Sequence, residues 1–151
     1  MLNEEMKTLI RNHPAGMVAT VNKDGAPVVS PKATFVIIDD QTLAFGNLRS
    51  PGTLANLRGN SAVEVCFIDV VTRKAVRVTG TGTNLPKSKA DADLVEAFEK
   101  PWGIYIDHMA SFVRIEVSKA EMIISPGYDL GFSEEELVDQ NMTKLEGLYR
   151  S

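Results

Sequence analysis

The sequence predicts a mainly β fold with flanking helices, built as an antiparallel barrel or a highly curved sheet. Apolar and polar residues alternate with a period of two along about six segments, and short polar turns join most of them. Helical spacing is confined to the two ends of the chain and two interruptions. Because rolling a sheet into a barrel removes its exposed edges, a curved sheet is favoured. The chain has no repeat and no long linker, which predicts a single domain over residues 1–151.

The first half of the chain begins with a helix and continues with strands. Apolar residues recur at helical spacing from Leu2 to Ile10, and the segment RNHPAG then ends this helix. The turn NKDG carries an Asp-Gly pair, which favours a tight reversal between antiparallel strands. The strands predicted in this half cover residues 17–21, 26–38 and 42–47.

The second half continues the β pattern and closes with a helix. Gly80 and Gly82 interrupt an alternating strand, where bends are expected. Ser133 is followed three residues later by Glu136, which is typical of a capping box at a helix start. The predicted strands cover residues 61–69, 75–85 and 111–125, and the predicted helices cover residues 86–98 and 133–149.

Composition and charge exclude several classes of partner. The formal net charge is -4, whereas binding to DNA or RNA relies on clustered positive charge, so no nucleic-acid partner is expected. No apolar run approaches the roughly 18 residues of a membrane-spanning helix. The start MLNEEMKTLI has acidic residues where a signal peptide has basic ones, which predicts a cytoplasmic protein without a membrane partner.

The cysteine and histidine residues indicate no metal or nucleophile site. Cys66 is the only cysteine, which excludes an intrachain disulfide, and its place in the strand AVEVCFID predicts a packed side chain rather than a reactive thiol. His13 and His108 are far apart and lack the spacing of metal ligands, so both are predicted in surface or turn positions.

The segment NLRSPGTLANLRGN, residues 47–60, has two interpretations. In the first, Ser50 caps a helix whose first residue is Pro51, and the helix buries its leucines. This leaves Gly52 unexplained, since glycine weakens a helix by about 1 kcal/mol relative to alanine. In the second, Gly52 lets a ligand approach a helix N-terminus, which offers free N–H groups to a phosphate. The hydroxyls of Ser50 and Thr53 and the cation Arg49 complete that anion site.

Lys32 supplies a second candidate cation. It interrupts the strand VVSPKATFV, and strand alternation places it on the same face as Ser30. The alternative is an exposed lysine on an edge strand, where charge prevents aggregation and where the neighbouring Pro31 is tolerated. Both interpretations remain open from the residues alone.

The order of these segments resembles the pyridoxamine 5'-phosphate oxidase-like family of flavin-binding split barrels. The resemblance rests on the small-residue strand followed by KDG, on SPGT followed by NL, and on the RK turn into a strand that ends in glycine. It covers roughly residues 13 to 85 well and the remainder more loosely. The resemblance depends on the order and spacing of these pieces rather than on any one of them.

This resemblance implies a six-stranded split barrel that forms a homodimer, with FMN in each cleft between the subunits. The strand around Lys32 would run along the isoalloxazine ring, with Lys32 reaching the phosphate. Gly46 and Asn47 would lie beneath the ring, the SPGT turn would bind the phosphate, and the cations of the RK turn and next strand would come from the second subunit. The implied cofactor-binding residues are Ser30, Pro31, Lys32, Ala33, Thr34, Gly46, Asn47, Arg49, Ser50, Gly52, Thr53, Arg73, Lys74 and Arg77.

The chain also departs from the family pattern. It has SPGT where authentic pyridoxamine phosphate oxidases have a Ser-Arg-Lys clamp, and Ala75 where they have a Gln. It lacks the C-terminal Arg-x-His pair that grips their substrate. These departures predict that the protein is not an authentic pyridoxamine phosphate oxidase.

The function implied is an FMN flavoprotein that transfers electrons from a reduced nicotinamide to a small acceptor, because the flavin carries the redox chemistry itself. Trp102 and Tyr105 could cover the ring, or could simply pack. One alternative is binding or sensing of flavin, haem or F420 without turnover; haem would require His108 or His13 as a ligand. Another is a dimeric interaction module in which SPGT is only a helix cap.

Overall fold

The computed structural model describes residues 1–150 as one seven-stranded antiparallel sheet with helices around it. The strands are β1 (Gly16–Val21), β2 (Pro27–Lys32), β3 (Phe35–Asp39), β4 (Thr42–Asn47), β5 (Ala62–Asp69), β6 (Lys74–Pro86) and β7 (Ser111–Ile124). The helices are α1 (Glu4–Asn12), α2 (Pro51–Gly59), α3 (Ala92–Trp102), α4 (Pro126–Asp129) and α5 (Glu134–Tyr149), with 3₁₀ turns at Lys87–Lys89 and Gly103–His108. The predicted fold class is confirmed.

The strand order, β2-β1-β5-β6-β7-β4-β3, places the consecutive strands β2 and β3 at opposite edges of the sheet. The strand predicted over residues 26–38 is therefore two strands, which raises the count from six to seven. Ala33 accepts a 2.9 Å hydrogen bond from the Phe35 N–H at the break. The chain passes directly from one edge to the other, so the sheet is rolled and open between these edges, as in a split barrel.

The inner face of the rolled sheet holds the main core. Phe35 and Phe67 meet edge to face with their ring centroids 4.8 Å apart, and α1 closes the core with Met6, Leu9 and Ile10. The hydrophobic effect of burying these side chains stabilises the barrel. A second cluster lies between α3 and the outer face of β4 and β7, where the Phe98 and Phe112 rings stack at 4.7 Å.

Local capping signals decide most helix starts. The predicted Ser133 cap of α5 is confirmed, since Ser133 Oγ accepts from the Glu136 N–H at 3.1 Å; the Glu136 carboxylate accepts from the Ser133 hydroxyl at 3.2 Å rather than from the Ser133 backbone N–H. The helix predicted over residues 86–98 begins later, at Ala92. Pro86 still belongs to β6, where it pairs with Ser111, and Asp91 caps the helix by accepting from the Leu94 N–H at 2.8 Å.

Cys66 and the histidines occupy the surroundings that the sequence predicts. Cys66 is half-buried in β5, and burial raises the pKa of its thiol, which disfavours the reactive thiolate. His13 Nε2 lies 3.5 Å from Asp69 Oδ2 at the surface, and His108 is exposed. Within residues 1–150, no group of three His, Cys, Asp or Glu residues is placed to hold a metal ion, and no helix is long and apolar enough to cross a membrane.

Candidate functional site

The structure brings together the end of β2 and the N-terminus of α2. Lys32 Nζ donates a 2.8 Å hydrogen bond to Ser50 Oγ, across 18 positions of sequence. Lys32 is the last residue of β2, and Ser50 immediately precedes α2. The two residues that sequence analysis predicted in one anion site are therefore neighbours.

The hydroxyl of Ser50 does not cap α2. Ser50 occupies the N-cap position, but its side chain accepts no hydrogen bond from the first turn, whereas the side chains of Asn3, Asp91 and Ser133 each cap their helices. Ser50 is buried, and its hydroxyl is held by Lys32 instead. The helix-cap interpretation consequently explains the position of Ser50 but not the use of its side chain.

Gly52 lies in the first turn of α2 with open space around it. A Cβ atom built on Gly52 would have no other atom within 4 Å, and the backbone of Gly52 does not have a positive φ. Neither packing nor backbone conformation therefore requires glycine here. The first N–H groups of a helix have no partner within the helix, so an approaching anion can bind them. Thr53, the next residue, is buried beside this turn.

The electrostatics at this helix start favour an anion. Burial lowers the pKa of Lys32 from its ordinary value of 10.5. Within residues 1–150, no carboxylate oxygen lies within 4.0 Å of Lys32 Nζ, so its charge is not neutralised by an ion pair. The positive end of the α2 dipole lies beside it, and Arg49 is exposed one residue before Ser50.

The remaining residues of the predicted strand segment lie at an open sheet edge. Ser30 is half-buried opposite Val18, while Pro31 and Ala33 are exposed. β2 is an edge strand, where Pro31 is tolerated, and one side of the strand offers backbone groups to a ligand. Thr34 is buried, and its hydroxyl and the backbone of Gly46 exchange hydrogen bonds of 3.1 Å.

Gly46 and Asn47 anchor the end of β4 to the start of β7. Met109 fills the space where a side chain on Gly46 would stand, so internal packing accounts for this glycine. Asn47 Nδ2 donates to Ser111 Oγ at 3.0 Å. Sequence reasoning missed Met109 and Ser111, because their contacts with β4 are set by strand pairing more than 60 positions away.

The three cations predicted from the RK turn and the next strand lie in a different part of the chain. Arg73 Nη2 donates to Asn141 Oδ1 at 3.2 Å, and Lys74 Nζ lies 3.0 Å from Glu134 Oε1. Arg77 lies on the outer face of β6, where it pairs with Glu121 at 3.0 Å. Within a single chain these cations are therefore not part of the cluster of Lys32 and Ser50. Their arrival from a second subunit stays a prediction.

The aromatic residues considered as a cover for a ligand pack against the sheet. Trp102 Nε1 donates a 3.0 Å hydrogen bond to the Phe35 carbonyl, and the Trp102 and Tyr105 ring centroids are 6.3 Å apart. This bond ties the end of α3 to the edge strand β3. Trp102 therefore has a packing role in the protomer.

A comparison with protein families decides which family this chain represents. The family model described as pyridoxamine 5'-phosphate oxidase matches residues 2–124. The chain belongs to this family. The match includes all seven strands and extends beyond the segment on which the sequence resemblance rests. The last two helices, α4 and α5, lie outside it.

Solved structures support the fold assignment. HupZ from Group A Streptococcus is 28% identical, with a TM-score of 0.71, over 83% of this chain and 96% of that chain. An FMN-binding protein from Syntrophomonas wolfei is 13% identical, with a TM-score of 0.65, over 81% of this chain and 86% of that chain. A protein described as F420 reductase is 21% identical, with a TM-score of 0.58, over 80% of this chain and 98% of that chain. The last two show a shared fold alone. No curated protein sequence matches the chain.

Proposed function

We propose that this member of the pyridoxamine 5'-phosphate oxidase family binds FMN and holds its phosphate at the N-terminus of α2. The observation that carries the proposal is the contact between Lys32 Nζ and Ser50 Oγ at 2.8 Å, beside a helix start that leaves Gly52 open. A partly buried lysine without a carboxylate partner suits an anion, and phosphate is one of the anions that helix N-termini bind.

Each residue of this cluster has a distinct part in binding the phosphate. Lys32 supplies the positive charge, and the hydroxyls of Ser50 and Thr53 supply donors. The open backbone at Gly52 lets phosphate oxygens reach the first N–H groups of α2. The edge strand β2 offers backbone groups along which the flavin ring lies. The residues present at the site therefore fit FMN, although two cations of the oxidase clamp are replaced.

A second copy of the chain would complete the site. Lys32 is only partly buried, and Arg49 and Gly52 beside it are exposed, so part of the cluster faces solvent in a single chain. Met17 and Ile68 are exposed apolar residues on the outer face of β1 and β5. Arg77 shares this face, since Met17 pairs with Cys66 and Cys66 pairs with Arg77. A homodimer through this face would bring Arg77 toward the partner's cofactor, whereas Lys74 lies on the opposite face of β6, beside Glu134.

We further propose an oxidoreductase that is not an authentic pyridoxamine phosphate oxidase. Bound FMN would supply two-electron redox chemistry between a reduced nicotinamide and a small acceptor. The chain would bind and orient the ring along the edge strand β2. It does not need an acid or base of its own, and no titratable cluster accompanies Lys32 in the described residues.

The experiment that tests this function is reconstitution with FMN followed by gel filtration and absorbance spectroscopy. About one FMN retained per chain supports the proposal, and reduction by NADH or NADPH under anaerobic conditions supports electron transfer. Retained FMN that neither nicotinamide reduces would favour flavin storage or sensing. Parallel additions of haem and F420 test the other cofactors. A protein that retains no flavin would contradict the proposal and favour an interaction module.

A further inference from the structure

A separate cleft lies between α1, the edge strand β3 and α3. Its volume is about 540 Å³, and its lining includes none of the residues of the proposed flavin site. Small-molecule sites typically enclose about 300 to 1,000 Å³ and are lined mainly by apolar and aromatic side chains with a few polar groups. The size of this cleft falls within that range.

The floor of the cleft is apolar and well packed. Phe35 and Val36 are buried in β3, and Ile10 of α1 is almost fully buried. Trp102 forms part of the wall, and the hydrogen bond of its indole N–H to the Phe35 carbonyl holds the ring in place. Because this bond satisfies the polar group of the indole, the ring presents its apolar surface to the cleft.

Two cationic side chains lie at the edge of the cleft. Arg11 comes from the last turn of α1, and Lys100 comes from the last turn of α3. No acidic residue lines the cleft. Within residues 1–150 neither cation has a carboxylate within 4.0 Å, as is the case for most of the lysines and arginines of the chain. In a chain of net charge -4, two cations without acidic partners at one apolar cleft complement an anion.

We propose that this cleft binds a small amphipathic carboxylate. The carboxylate lies between Arg11 and Lys100, and the apolar body lies on the half-buried Ile37 and Trp102. The rim supplies charge-assisted hydrogen bonds, and the floor removes apolar ligand surface from water. A cation with the same apolar body would make the same contacts with the apolar side chains, but Arg11 and Lys100 would repel its charge.

The chain offers a built-in reporter for this site, because Trp102 is its only tryptophan. The test is a titration of the full-length protein with decanoate, followed by tryptophan fluorescence and by calorimetry, below the concentration at which decanoate forms micelles. We expect a saturable change in fluorescence with decanoate. Decylammonium, which has a similar chain and the opposite charge, should bind at least about tenfold more weakly. Equal binding of the two probes, or no binding of decanoate, would overturn the proposal.

A matched pair of double variants locates the carboxylate. Arg11→Gln with Lys100→Gln should weaken decanoate binding by about tenfold or more, the effect of losing charge-assisted hydrogen bonds. Arg58→Gln with Lys89→Gln removes two exposed cations elsewhere and should leave the affinity unchanged. All four side chains are exposed, so folding is expected to be preserved. Equal affinities of the two double variants would overturn the assignment of the head group.

The proposal also requires that the cleft and the flavin site be separate. Decanoate affinity should therefore be the same with and without saturating FMN. Competition between FMN and decanoate would overturn a separate site. Filling the cleft with Ala97→Leu, a half-buried position in its wall, should abolish decanoate binding while FMN retention stays unchanged.

Discussion

Lys32 is the residue on which the phosphate site depends most. Its ammonium group is partly buried, bonded to Ser50, and without a carboxylate partner in residues 1–150. Sequence reasoning predicted this cluster because a lysine in a strand and a hydroxyl-rich helix start both suit an anion. The contact itself could not be predicted, since it joins residues 18 positions apart and depends on the rolling of the sheet, which brings the end of β2 beside the start of α2.

The lowered pKa of Lys32 predicts a pH-dependent affinity for FMN. Lysine binds a phosphate only when it is protonated, so affinity should fall as pH rises through the lowered pKa of Lys32, below the ordinary value of 10.5. The measurement is a calorimetric titration with FMN from neutral to alkaline pH. Lys32→Arg keeps its charge over this range and serves as the control, because ionisation of FMN itself affects both proteins equally. The same alkaline loss in both proteins would contradict a role for the Lys32 charge.

Among the helices and strands, the starts that depend on local bonds could be predicted from the sequence, whereas the breaks that depend on distant contacts could not. Ser133 and Glu136 predicted the start of α5 because the cap is a local bond. The strand break at Ala33 and Thr34 was missed because no glycine marks it and Pro31 was interpreted only as tolerated in an edge strand; the buried bonds of Thr34 with Gly46 hold the break in place. The later start of α3 was missed because Pro86 suits both a helix start and the end of a strand.

The first turn of α2 provides a prediction that separates stability from binding. Gly52→Ala should raise the free energy of unfolding by about 0.5 to 1 kcal/mol, since alanine favours a helix and meets no atom within 4 Å. It should also weaken FMN binding by about tenfold, roughly 1.4 kcal/mol, because a methyl group would stand where the phosphate approaches. Denaturant unfolding and FMN titration measure the two effects.

Gly59→Ala is the matched control for this variant. Gly59 lies at the other end of α2, and a Cβ there also meets no atom within 4 Å. It should stabilise the protein without changing FMN affinity. If Gly52→Ala bound FMN as tightly as Gly59→Ala, the phosphate would not approach the helix at Gly52, and the proposed geometry would be wrong.

At the scale of the whole molecule, the rolled sheet has exposed apolar residues on the outer face of β1 and β5. Met17 and Ile68 are 47% and 45% exposed on this face.

We predict a dimer of twice the 16.5 kDa chain mass in light scattering. Met17→Glu should yield monomers that lose FMN, because a buried charge disfavours the interface. Leu130→Glu, at an exposed position near α5, should stay dimeric. A Met17→Glu protein that remains dimeric would exclude this face as the interface.

The central claim is that the chain recognises the phosphate of FMN through Lys32 and the start of α2. The most direct measurement compares the affinities of FMN and riboflavin, which differ only by that phosphate, in the natural protein and in Lys32→Met. The account predicts that the natural protein prefers FMN and that Lys32→Met loses about 1.5 to 3 kcal/mol of FMN affinity with little change for riboflavin. Lys89→Met, at an exposed lysine, should behave as the natural protein does. Equal affinity of the natural protein for FMN and riboflavin would contradict the account.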